Sequence, residues 1–175
     1  MLAHIKMLCL FILTLAVTLL VLALLNWIPS VIQPESIRKY GSLEDVQKAL
    51  NTVKIYLPAY FPERLQWPPS EIYAQNEPYT LVLMHVKERQ RDHIVLGIRQ
   101  VDAHSARVIR LRIEPTQITQ QEMITIKGRP AVLSLASCAD GSVCNMVAWQ
   151  EGNYRLTVVA RDSAQELIRI AESML

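Results

Sequence analysis

The pattern of apolar and polar positions changes character three times along the chain. First comes an uncharged run of nineteen residues, Met7 to Leu25 (MLCLFILTLAVTLLVLALL). At about 1.5 Å rise per residue, a helix of that length crosses the ~30 Å hydrocarbon core of a bilayer. The expectation is a transmembrane anchor that meets lipid through residues 7–28. Trp27 suits the interfacial aromatic belt, and Pro29 ends the helix. A cleaved signal peptide is the rival reading, with an apolar stretch of about 7–15 residues and a small-x-small cleavage site. Here the run is longer and leads into Asn26-Trp27-Ile28-Pro29 with no Ala-x-Ala pattern, which favours the uncleaved anchor.

The second stretch is polar and irregular. Residues 29–41 carry Pro34 and Gly41 among polar neighbours and read as a linker. Ser42-Leu43-Glu44-Asp45 then has the form of a helix start, with Ser42 as cap and acidic residues in the first turn. Leu43, Val46, Leu50 and Val53 recur at helical spacing, so one stripe faces inward. Pro58, Pro62, Pro68 and Pro69 follow closely and favour an irregular strap over helix or sheet. Tyr56, Tyr60, Phe61 and Trp67 are expected to dock the strap onto the core, and a partner-binding groove around Tyr60 and Trp67 is the alternative.

From Ile72 onward the pattern is β. Tyr79–Val86, Ile94–Val101 and Val108–Ile113 are apolar or β-branched runs split by charged and polar turns. Met123–Lys127 and Ala131–Ala136 continue the sheet around Gly128-Arg129-Pro130. Met146–Trp149 and Tyr154–Ala160 form a last pair, and a four-residue loop between them sets Trp149 opposite Tyr154. Ser163-Ala164-Gln165-Glu166 is a capping box. It opens a short helix whose apolar face carries Leu167, Ile168, Ala171 and Met174. The fold class expected is α+β: a single N-terminal transmembrane helix, then an antiparallel sheet with one helix before it and one after it. The division expected is 1–28 for a cytoplasmic tail and anchor, 29–41 for the linker and 42–175 for an extracytoplasmic domain.

Charge and cysteines narrow the function classes. Setting Lys6 aside, seventeen basic residues face sixteen acidic ones, and this balance argues against a nucleic-acid partner. Positive-inside counting barely separates the two orientations, because Lys6 is set against Arg38 and Lys39, which Glu35 partly offsets. Cys138 and Cys144 flank Asp140-Gly141, a turn dipeptide, and a loop wider than two residues lets them bridge. A disulfide there favours an oxidising compartment, with the domain outside the cytoplasm; two unpaired buried thiols are the alternative. Within Val108–Ile113, Arg110 and Arg112 share one strand face, which Arg99 or Lys127 on neighbouring strands would extend. That face is either a site for a partner or a solvated surface.

Catalytic signatures are not convincing. Ser134 and Ser137 lack a Gly-x-Ser-x-Gly elbow, and five scattered glycines make no phosphate-cradling loop. His85, His93 and His104 have no ligand spacing with the cysteines, so neither a metal nor a cofactor is expected.

Several segments together resemble a known family. They are Leu57-Pro58-Ala59-Tyr60-Phe61-Pro62-Glu63, the β-meander, Ile126-Lys127-Gly128-Arg129-Pro130-Ala131, the Ala148–Tyr154 hairpin and Ser163–Ser173. The chain from about Leu57 to its end is similar to an extracytoplasmic bacterial domain of unknown function, found beyond the membrane span of anti-sigma-factor-like proteins. The resemblance implies an α+β fold and a location outside the cytoplasm, and it supplies no catalytic residue. With six residues ahead of the span, no sigma-binding part is expected here. The function expected is a single-pass, membrane-anchored binding or sensor module without catalytic activity, with a protein partner. The alternatives are an accessory structural subunit of a larger membrane complex, and a hydrolase whose site is unrecognised.

Overall fold

The computed structural model describes residues 7, 12–23, 37–51, 53–105 and 109–174. The chain divides into two compact units, Met1–Ser36 and Ile37–Leu175. In the first, residues 12–23 form helix α1, and every one of them is exposed. The Thr18 hydroxyl donates to the Thr14 carbonyl (2.8 Å), so this polar group is satisfied within the helix. Among the described residues, no helix is long and apolar enough to cross a membrane. The remainder of the 7–28 segment, apart from Met7, lies outside the described residues.

The second unit is built on one eight-stranded antiparallel sheet in the order β1-β2-β3-β4-β8-β7-β6-β5. The strands are β1 Arg38–Tyr40, β2 Glu71–Gln75, β3 Leu81–Glu88, β4 Arg91–Asp102, β5 Gln117–Ile126, β6 Arg129–Ser137, β7 Asn145–Glu151 and β8 Tyr154–Ala160. Two four-strand meanders thus meet at β4 and β8. Helices α2 (Leu43–Leu50) and α3 (Ala164–Glu172) complete the α+β fold. The expected linker 29–41 ends in sheet: Arg38, Lys39 and Tyr40 pair with Ala74, Tyr73 and Ile72.

Alternation along β3 shows how the sheet is buried on both sides. Val82, Met84 and Val86 belong to the larger core, whereas Leu81 and Leu83 belong to a smaller one. The larger core takes Val46 and Leu50 from α2, and Leu167, Ile170 and Ala171 from α3. Ser42 caps α2 by accepting the Asp45 N–H (3.1 Å). The proline strap is irregular, as its sequence predicts, and is fastened at its start by the fully buried Gln100. That side chain accepts the Tyr56 N–H (3.0 Å) and donates to the Lys54 carbonyl (2.7 Å).

Four local expectations are corrected. Residues 109–113 of the expected Val108–Ile113 strand are irregular, and residues 106–108 lie outside the described residues. The β7–β8 turn is the pair Gly152-Asn153, with Gly152 at φ 58°. Trp149 therefore faces Leu156, while Tyr154 pairs with Glu151 and packs edge-on against Tyr56. The capping box at Ser163 is half made. Glu166 donates its N–H to the Ser163 hydroxyl, but its carboxylate accepts the Tyr60 hydroxyl (2.6 Å), and the Ser163 N–H goes to Asp162. The β5–β6 turn is Lys127-Gly128, both with positive φ, so Arg129 and Pro130 already belong to β6.

Candidate functional site

The topology creates the site. β4 ends in the middle of the sheet and β5 lies at its far edge, so the connection must travel over one face. Residues 109–114 cross that face. Leu111 and Ile113 sink into the smaller core, while Arg110 and Arg112 stay exposed. Room for them exists because Gly97 on β4 lacks a side chain. A Cβ there would meet Leu111 Cδ1 at 3.2 Å and Ile113 Cγ1 at 3.4 Å.

Polar side chains hold the segment at two points. At the first, Arg99 on β4 donates through Nη1 to the Ile109 carbonyl (2.8 Å) and to Glu114 Oε1 (3.2 Å). Its Nη2 reaches the Thr157 hydroxyl on β8 (3.4 Å). Burial pushes the Arg99 guanidinium below its ordinary range, and the Glu114 carboxylate opposes that shift. Glu114 Oε1 also accepts the Leu111 N–H (3.2 Å), so one carboxylate organises the bend.

The second point is His85 on β3, only 2 % exposed. Its Nε2 accepts the Arg112 backbone N–H (3.1 Å). An accepting Nε2 assigns the proton of the neutral ring to Nδ1. Nδ1 lies 4.0 Å from Glu71 Oε2, and both atoms are buried without a hydrogen-bond partner. Glu71 Oε1 meanwhile meets the Arg112 guanidinium at 3.2 Å and Lys39 Nζ at 3.8 Å. Burial holds the imidazole down at about 4; Glu71 opposes the shift and Arg112 adds to it.

Beside the segment is a small cleft of about 170 Å³, lined by Arg112, Glu114, Cys138, Asp140 and Arg161. Cys138 and Cys144 are joined as a disulfide, with Cα atoms 5.2 Å apart. The loop is wider than a two-residue turn, because Ser137 bridges Val143 and the Cys138 N–H donates to the Ser142 carbonyl. The Asp140 carboxyl is held at about 2 by hydrogen bonds from the Ser142 side chain and backbone, with Arg161 adding to them. Arg161 meets Asp140 at 2.8 Å, so the cleft carries two cations and two anions already engaged with carboxylates or guanidiniums. Replacing both cysteines with serine is expected to cost about 2 kcal/mol of stability by releasing the loop constraint on the unfolded chain. Urea denaturation of the full chain in detergent measures it, and an unchanged midpoint would remove the disulfide as a structural element.

The candidates read from sequence fall in different places. Arg110 and Arg112 are neighbours on one exposed edge of the segment, but they meet different carboxylates, Glu114 at 3.8 Å and Glu71 at 3.2 Å. Tyr60 is a clasp on α3: its hydroxyl donates to Glu166, and Arg169 lies over its ring at 4.5 Å. Trp67 stacks on Phe61 with ring centroids 4.0 Å apart, packed against the larger core. Sequence reasoning missed Glu71 and Glu114, and saw His85 only as a failed metal ligand. The available signal was a histidine inside the apolar run Tyr79–Val86. Among the described residues, no three His, Cys, Asp or Glu side chains are grouped to hold a metal ion.

No protein family, curated protein or solved structure matches this chain. The site therefore has to be interpreted from its own chemistry. It contains a guanidinium-rich edge, a mixed-charge cleft and a neutral buried imidazole under a backbone amide.

Proposed function

We propose that the chain is a single-pass, membrane-anchored extracytoplasmic binding or sensor module that works without catalysis of its own. One contrast carries this reading. In the folded unit the large apolar side chains are inside, with Ile118, Met123 and Val143 the exposed ones among its described residues. In α1 the apolar side chains point outward along the whole described length, including Leu13, Leu19 and Leu20, each about three-fifths exposed. Water penalises such a helix by roughly 25 cal/mol for each Å² of apolar surface, and lipid removes the penalty. The Cys138–Cys144 disulfide supports a location outside the cytoplasm. The resemblance of the region from Leu57 onward to extracytoplasmic domains of anti-sigma-factor-like proteins points the same way.

The partner surface in this reading is the 109–114 segment with Arg110 and Arg112, joined to the cleft beside Cys138. Tyr60 and Trp67 serve as strap anchors, since each is engaged within the domain. A second reading, accessory subunit of a larger membrane complex, is favoured by one observation. β5 is a ten-residue edge strand carrying one charge, Glu122, with Ile118 and Met123 exposed. Edges of that kind accept a further strand.

Fractionation tests the anchor and protease protection tests the orientation. The full-length chain is expected to stay with membranes through an alkaline carbonate wash, and protease added outside the cell is expected to digest residues 42–175. Release into the soluble fraction, or a mature form beginning after Pro29, would overturn the anchor. Digestion only after lysis would reverse the orientation.

A further inference from the structure

We propose that His85 is a proton-operated latch on residues 109–114: a neutral ring holds the Arg112 amide, and a protonated ring releases it toward Glu71. The latch deepens the sensor reading by naming its stimulus, an acid shift. Its geometry does not depend on where the domain sits.

The chemistry of a single atom drives the latch. Nε2 accepts the Arg112 N–H at 3.1 Å, which only an unprotonated nitrogen can do. A second ring proton has to be placed on Nε2, because Nδ1 already carries the first. Two N–H groups would then point at each other, and that hydrogen bond is lost. The protonated ring has an alternative partner in place: Glu71 Oε2, buried and without a hydrogen-bond partner, 4.0 Å from Nδ1. A small movement of the imidazolium would make a charge-assisted bond there. Glu71 also holds the Arg112 guanidinium at 3.2 Å, so the imidazolium would compete with Arg112 for the same carboxylate. One proton thus weakens both contacts of Arg112, at its backbone and at its side chain.

The other groups that face the ring set how hard the latch is to open. From β2 the Tyr73 ring stands edge-on to the imidazole, with centroids 6.0 Å apart. From β1, Lys39 lies 3.8 Å from Glu71 Oε1, on the side of the carboxylate away from the imidazole. Gly97 is the residue opposite His85 on β4 and brings no charge. Glu71 favours the imidazolium, while burial and Arg112 oppose it.

The sign follows from linkage. The latched ring takes a proton only near pH 4, whereas a ring released to water takes one at the ordinary 6.5. The open form therefore binds more protons between these values, and opening becomes easier as pH falls from 6.5 toward 4. At pH 5 the open fraction of residues 109–114 should exceed its neutral-pH value about 20-fold, rising to about 100-fold near pH 4.

Hydrogen exchange followed by mass spectrometry on the full chain in detergent reads this directly. After correction for the intrinsic pH dependence of exchange, peptides covering residues 109–114 should lose protection about 20-fold on moving from pH 7 to pH 5. His85→Gln keeps an acceptor without a titrating ring, so its protection should not change with pH. His93→Gln and His104→Gln should retain the full acid response. Protection in the unaltered chain that does not change between pH 7 and 5 would overturn the latch, as would the same acid response in His85→Gln. Nitrogen-15 NMR of the imidazole in the unaltered chain supplies a check independent of how any variant folds. At pH 7 it should show the proton on Nδ1 and none on Nε2, and a proton on Nε2 would end the proposal. Failure of the latch leaves the anchor untouched, and a soluble or inward-facing chain leaves the latch untouched.

Discussion

Replacing Arg99 with alanine is expected to lower the unfolding free energy by about 2–3 kcal/mol, among the largest effects of any polar substitution in the domain. Removing one member of a buried ion pair leaves the other uncompensated, which costs roughly 3–5 kcal/mol when both are fully buried. The Arg99 side chain is 13 % exposed and Glu114 is 26 % exposed, so solvent screening lowers that figure. The loss extends beyond the pair, because the same guanidinium holds the Ile109 carbonyl and the Thr157 hydroxyl. Arg99→Lys keeps the charge but not the planar fork, and should recover less than half of the loss. Urea denaturation of both variants in detergent measures the change. An Arg99→Ala midpoint equal to that of the unaltered chain would mean that the crossing segment is held by its leucine and isoleucine alone.

Gly97→Val should cost about 2–3 kcal/mol through overpacking, whereas Gly97→Ala should stay within about 1 kcal/mol of the original. The first Cβ meets side-chain atoms of Leu111 and Ile113 at 3.2–3.4 Å, which flexible tips can yield by a few tenths of an ångström. Alanine also restricts the unfolded chain, which offsets part of the crowding. The additional methyls of valine have to displace the segment itself, so hydrogen exchange at residues 109–114 should rise in step with the lost stability. Equal thermal stability of the two variants would show that the segment does not rest on β4.

Much of the domain was legible from periodicity, and the failures have identifiable causes. Helix α2 was marked by its cap and its apolar stripe, and β3, β4, β6 and β8 by β-branched runs. β1 was invisible, since three residues of polar and aromatic character make a strand only when a neighbour such as β2 is there to pair. The 109–113 segment imitated a strand because its side chains alternate between the apolar face and solvent, although it makes no ladder bonds. Period two reports which side is covered and is silent about hydrogen bonding. The hairpin after Trp149 went wrong by two residues, because Gln150-Glu151-Gly152-Asn153 reads equally well as a four-residue loop or as two residues closing on longer strands. The site was legible in part. Arg110 and Arg112 were read as sharing one strand face, but the carboxylates that answer them come from β2 and from the bend at Glu114. The Arg112–Glu71 contact spans about forty residues and leaves no local mark, whereas Glu114 lies only four residues from Arg110 and its role at the bend was not read.

The order of strands also has a kinetic meaning. Six of the seven pairings join strands adjacent along the chain, and the β4–β8 seam alone joins distant ones, Asp102 with Tyr154 at its nearest end. The second meander can therefore assemble from hairpin contacts, while closing the seam brings together strands whose nearest partners, Asp102 and Tyr154, are about fifty residues apart in sequence. The rate-limiting step in folding should accordingly be the joining of two preformed half-sheets. Substitutions at seam positions such as Ile98 and Val158 should then slow refolding, while those at the outer strands should mainly hasten unfolding.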